Sequence, residues 1–66
     1  MTNTQKLIDR IRELNYKQSD LAKRLGIKQS SLSLKIHNKR PFYVDEALTL
    51  AKALQIRDDE IGLYFF

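Results

Sequence analysis

Apolar residues recur along this chain with a period of three to four, and nowhere with a period of two. In TNTQKLIDRIREL, Leu7, Ile8, Ile11 and Leu14 fall on one face of a helix, and Asn3 or Thr4 can cap its start. QSDLAKRL gathers Leu21, Ala22 and Leu25 on one side, and Gly26 follows where a left-handed residue ends a helix. A third segment runs from Gln29 to His37, with Asn38 and Pro41 closing it. VDEALTLAKAL spaces Val44, Ala47, Leu48, Ala51 and Leu54 helically, and Asp45 and Glu46 suit its positive N-terminal end. DDEIGLYFF closes the chain with a short helix that opens on three acids. The predicted architecture is all-α, a compact five-helix bundle with helices near 4–14, 18–25, 29–37, 44–54 and 58–65, in one domain spanning 1–66.

The third helix breaks the pattern. QSSLSLKI carries three serines, which favour caps and turns over helix interiors. With Leu32 placed at zero on a helical wheel, Ile36 falls near 40° and the two mark the buried side. Gln29, Ser33, His37, Ser30 and Leu34 then lie at roughly 60°, 100°, 140°, 160° and 200°, a continuous strip away from the core. Such a strip is narrow enough to approach the base edges in a DNA major groove. Gln can pair with adenine, Ser with any base, and an apolar side chain can rest on a thymine methyl. HNKRPFY then places polar and basic groups in a row ahead of an aromatic hydroxyl, a set suited to phosphates.

Residues 18–37, QSDLAKRLGIKQSSLSLKIH, resemble the twenty-residue helix-turn-helix of phage repressor and Cro proteins, the XRE or Cro/CI class. The match rests on Gln18, Leu21, Ala22, Leu25, Gly26, Ile27 and Leu32. Ala22 is small where two helices cross, Gly26 supplies a positive φ, and Ile27 fills the corner. The flanking segments fit the five-helix, lambda-repressor-like layout of that class. The resemblance implies base contacts from Gln29, Ser30, Ser33 and Leu34. It implies a phosphate contact from Gln18, helped by a helix N-terminus, and further phosphate contacts from Lys28, Lys35, His37, Asn38, Lys39, Arg40 and Tyr43. Three positions depart from the class. Lys17 and Lys28 stand where Ser or Thr often caps a helix; neither can accept a backbone N–H bond, and both suit phosphate attraction instead. Lys35 stands where an apolar residue is usual, with Ile36 one later, consistent with a third helix rotated or extended by one residue.

Composition narrows the function. Twelve Lys and Arg against eight Asp and Glu give a net charge of +4, which favours a polyanionic partner. One His and no Cys leave no basis for a metal centre, and no cofactor is expected. No nucleophile–base pair or phosphate-cradling glycine loop is present, so the chain reads as no enzyme and as taking no small-molecule substrate. No apolar run reaches membrane-spanning length, and the expected location is cytoplasmic, with no membrane partner. A chain of 66 residues gains little stability from its own core. Tyr64, Phe65 and Phe66 therefore have two readings, as closure of the core against the first helix or as a contact with a second copy. The expected function is sequence-specific binding of a palindromic double-stranded operator as a homodimer, in a Cro-like or repressor-like regulator. The alternative is a protein-interaction module, an antirepressor or antitoxin, built on the same bundle.

Overall fold

The computed structural model describes residues 1–66. Its helices are α1 (Thr4–Glu13), α2 (Gln18–Leu25), α3 (Gln29–Ile36), α4 (Val44–Ala53) and α5 (Ile61–Phe65), and a 3-10 turn (Asp58–Glu60) leads into α5. The fold is an all-α, five-helix domain. Asn3 caps α1, its side chain accepting from the Lys6 amide at 3.1 Å.

Four helices stop in the same way. Asn15, Gly26, Asn38 and Gln55 follow α1 to α4 with φ of 57°, 71°, 62° and 55°. After each, the next amide reaches back to the carbonyl five residues earlier. Tyr16 donates to Ile11 at 3.1 Å, Ile27 to Ala22 at 3.0 Å, Lys39 to Leu34 at 2.8 Å and Ile56 to Ala51 at 2.9 Å. This is the Schellman arrangement, which satisfies carbonyls that a helix end would otherwise leave unpaired. Only one of the four left-handed positions is glycine.

The core is continuous through all five helices. Leu7, Leu21, Leu32, Ile36, Leu50 and Leu54 are fully enclosed, and α2 packs on both α3 and α4. Each such side chain contributes about 1.5–3 kcal/mol relative to exposure. Ala22 is buried on α2, which packs on both α3 and α4, and adds no bulk to hold the helices apart. The inward face of α4 differs from the expected one. Ala47, Leu50, Ala51, Ala53 and Leu54 are buried, whereas Val44 and Leu48 are exposed. On the wheel Leu54 and Leu50 lie about 20° and 60° to one side of Ala47, and Val44 and Leu48 lie about 60° and 100° to the other, so centring the buried face on the two leucines turns Val44 and Leu48 outward.

Two polar ties close the bundle. Arg10 donates from Nε to the Leu54 carbonyl at 2.9 Å and from Nη2 to the Gln55 carbonyl at 3.3 Å, so α1 supplies a cation to the C-terminal end of α4. The Asn3 amide donates to the Tyr64 carbonyl at 2.8 Å. Tyr64 and Phe65 are buried, and the Phe65 ring meets Phe42 edge-on at 5.2 Å. The core-closing reading therefore holds for these two within one copy of the chain. Phe66 alone of the three stays exposed.

Candidate nucleic-acid interface

The turn between α2 and α3 sets the site. Gly26 takes its left-handed φ with nothing within 4 Å of the place a Cβ would occupy, so backbone conformation, not space, calls for glycine there. Ile27 packs partly buried against the core at the corner. Lys17 and Lys28 occupy the N-cap positions of α2 and α3, and neither makes a side-chain cap bond. Both are exposed, and Gln18 beside Lys17 is half-buried at the first position of α2. Each start leaves amide N–H groups without helical partners beside a lysine, a favourable setting for an anion.

Along α3, Gln29, Ser30 and Leu34 are exposed and Ser33 is half-buried. Leu34 is 37% exposed, so the apolar member of the strip is partly sheltered. The inward set is Leu32, Lys35 and Ile36. The helix is therefore not rolled to exchange Lys35 for Ile36. Both point inward, because the methylene stem of Lys35 can lie along apolar surface.

Lys35 is the clearest departure from the sequence reading. Its Nζ lies 2.5 Å from Glu46 Oε1, with the two side chains only 8% and 11% exposed. The ammonium also sits 4.5 Å from the centre of the Tyr43 ring. A cation enclosed in this way is not free to hold a phosphate, and that role is withdrawn. Burial pushes the Glu46 carboxyl up, but bonds from Lys35 and the Tyr43 amide and the lysine charge more than offset it. The group ends below the ordinary glutamate value.

Asn38 departs similarly. Its Oδ1 accepts from the Thr2 amide at 2.9 Å and its Nδ2 donates to the Thr2 carbonyl at 2.8 Å, so its polar atoms are spent inside the chain rather than offered to a phosphate. Thr4 donates from its hydroxyl to the Ile36 carbonyl at 2.6 Å. Residues 2–4 thus brace the C-terminal turn of α3. Beyond it, Lys39 and Arg40 are exposed and make no ion pair, and Tyr43 is exposed with its backbone N–H bound to Glu46 at 2.9 Å. His37 is exposed, with Nδ1 2.9 Å from the Ser33 carbonyl.

The structure thus brings Lys17, Gln18, Lys28, Gln29, Ser30, Ser33 and Leu34 to α2, α3 and the turn joining them, and sets Lys39 and Arg40 just past the far end of α3. The sequence reading missed Glu46 and Thr2. A lysine at a position that faces inward was the available signal for the first, since such a charge requires a partner. No group of His, Cys, Asp and Glu is placed to hold a metal, and no helix is long and apolar enough to cross a membrane.

A family model described as helix-turn-helix matches residues 8–61, from the first half of α1 to the first residue of α5. No curated protein matches the chain.

Proposed function

The chain belongs to the XRE-type helix-turn-helix family, a DNA-binding and non-enzymatic one, and from that premise we propose that residues 1–66 act as one sequence-specific operator-binding domain of a Cro-like or repressor-like regulator. The observation that carries the proposal is the outward strip of α3. Gln29, Ser30 and Leu34 are exposed there, with unpaired Lys28 at one end and unpaired Lys39 and Arg40 at the other. Gln29, Ser30, Ser33 and Leu34 meet base edges in the major groove. Lys17, Gln18, Lys28, His37, Lys39, Arg40 and Tyr43 hold the flanking backbone. Regulation is steric, an occupied operator excluding polymerase.

The operator is palindromic and the protein binds it as a homodimer, with half-sites about 34 Å apart. Phe66 is the aromatic best placed for the two-fold contact, because it is 62% exposed and lines an open groove with Met1, Pro41 and Phe42. The antirepressor or antitoxin alternative calls for an apolar outward face on α3, and Leu34 is the only large apolar residue exposed on it.

Selection of bound duplexes from a random pool, repeated at two salt concentrations, tests the proposal. The expected result is a recovered palindrome whose affinity falls steeply with salt. Four free cations per subunit on two subunits give a log–log slope of about −7. Recovery of no preferred sequence, or binding indifferent to salt, overturns it.

A further inference from the structure

We infer that Lys35 and Glu46 are positioning residues for base selection: their enclosed ion pair fixes the roll of α3 about its own axis. The inference rests on the base-reading role proposed for α3. One carboxylate oxygen joins three parts of the site. Glu46 Oε1, in the first turn of α4, takes the Lys35 ammonium from α3 at 2.5 Å. It also takes the Tyr43 amide, at the end of the 37–43 loop, at 2.9 Å. The Tyr43 ring covers the same ammonium at 4.5 Å. The loop that carries Lys39 and Arg40 and the helix that carries Gln29, Ser30 and Ser33 are therefore referred to a single atom.

The Thr4 and Asn38 bonds hold the C-terminal turn of α3 through its backbone end, and its other inward side chains, Leu32 and Ile36, are apolar. Hydrophobic contact is non-directional and tolerates a small roll of the helix. The Lys35–Glu46 pair does not, because the lysine stem is enclosed at 8% exposure beneath the Tyr43 ring and lacks the freedom of a surface lysine. With side chains a helix is about 10–12 Å across, so a 20° roll sweeps the outer tips by about 2 Å. That displacement breaks a hydrogen bond to a base edge, which needs about 2.7–3.2 Å. Contacts to phosphates from flexible lysines absorb the same displacement. The pair is thus expected to matter more for choice between sequences than for affinity in general. Enclosed ion pairs also add little net stability compared with apolar residues of similar size, so stability and selectivity separate.

The test compares wild-type protein with K35M/E46M, which replaces both charges by apolar side chains of similar reach, and with E46Q, which keeps the hydrogen-bonding shape and removes the charge. Thermal melting establishes the folded fraction. Affinity is then measured for the duplex that wild-type protein selects and for a random duplex at the same salt. The expected result for K35M/E46M is a melting point within a few degrees of wild type, the lost Tyr43 amide bond offsetting what removal of two enclosed charges gains, and random-duplex affinity within about twofold. Affinity for the selected duplex falls about tenfold, so the ratio collapses. E46Q shifts the ratio in the same direction by less, and stands as the decisive variant if K35M/E46M does not fold. A folded variant that keeps the wild-type ratio overturns this inference alone. Wild-type protein with no preference overturns it together with the base-reading role.

Discussion

Asn38 grips Thr2 by both polar groups of its backbone, accepting from the amide at 2.9 Å and donating to the carbonyl at 2.8 Å. The same residue turns left-handed, with φ 62°, to end α3. Two roles are therefore superposed at one position, and two substitutions separate them. Asn38→Gly keeps the left-handed turn and loses both bonds, at about 1–3 kcal/mol for two net hydrogen bonds. Asn38→Ala loses the bonds and adds the left-handed penalty, about 1–2 kcal/mol more. Urea unfolding of both variants reads the difference. Equal destabilisation would show that the turn contributes nothing, and a neutral Asn38→Gly would show the same of the clamp.

Glu46 makes acid stability the second readout. Its carboxyl titrates below the ordinary value in the folded chain, because Lys35 and the Tyr43 amide favour its charged form. A depressed folded value means the carboxylate contributes stability above the ordinary glutamate value of about 4.3, and that this contribution is lost as pH falls through the lower folded value. E46Q has no such titration. The melting-point gap between wild type and E46Q should therefore be widest above about pH 5 and close as the solution is acidified below about 4.3. A gap that stays constant across that range would mean that the charge of Glu46 contributes nothing to stability.

Gln55 is the third. It stands left-handed at φ 55°, without the local side-chain bonding that lets asparagine tolerate this region. Its carbonyl accepts from Arg10, a bond that any residue there would keep. Gln55→Gly should therefore stabilise the domain. Relief of the left-handed penalty exceeds the added entropy of the unfolded chain, for a net gain of about 0.5–1 kcal/mol. A rise in the chemical denaturation midpoint with unchanged slope is the expected signature.

These positions also mark how far the sequence could be read. The five-helix architecture was legible because the apolar spacing of Leu7, Ile11, Leu21, Leu25, Leu32 and Ile36 is local and helical, and Gly26 marks its turn openly. Other features were hidden for physical reasons. Gln55 ends a helix left-handed with nothing in its identity to mark the stop, and Asn15 marks one less openly than Gly26 does, because asparagine is as common in turns and caps elsewhere. Val44 and Leu48 look like a core face, and the exposure of both is decided by how α4 docks rather than by its own period. Lys35 was legible as an anomaly but not as an ion pair, because its partner lies eleven residues on and only the packing of α3 against the start of α4 joins them. Asn38 stays at the surface, but its side chain is bound to the Thr2 backbone, thirty-six residues away, a partner that local spacing cannot supply. For the exposed strip, sequence and structure agree on which residues of α3 face outward, save that Ser33 and Leu34 are partly sheltered. The sequence argument for their chemistry therefore passes directly into the proposed interface.

That interface makes opposite demands on two of its residues. Gln29 is exposed in the first turn of α3, and Lys39 is exposed just past its C-terminal end. An amide that reads an adenine edge should be selective, and an ammonium that holds a phosphate should be indifferent to sequence. Gln29→Ala is expected to cost about 1–3 kcal/mol on the selected duplex, to relax choice at one base pair, and to leave random-duplex binding almost unchanged. Lys39→Ala should weaken selected and random duplexes alike and lower the salt slope by about one per subunit. Both substitutions lie on exposed side chains without internal partners, so neither should move the melting point by more than a few degrees. Binding curves on the two duplexes at two salt concentrations measure all of these quantities at once. If the two variants lose affinity in the same proportion on both duplexes, the division of the surface into base-reading and phosphate-holding groups is wrong.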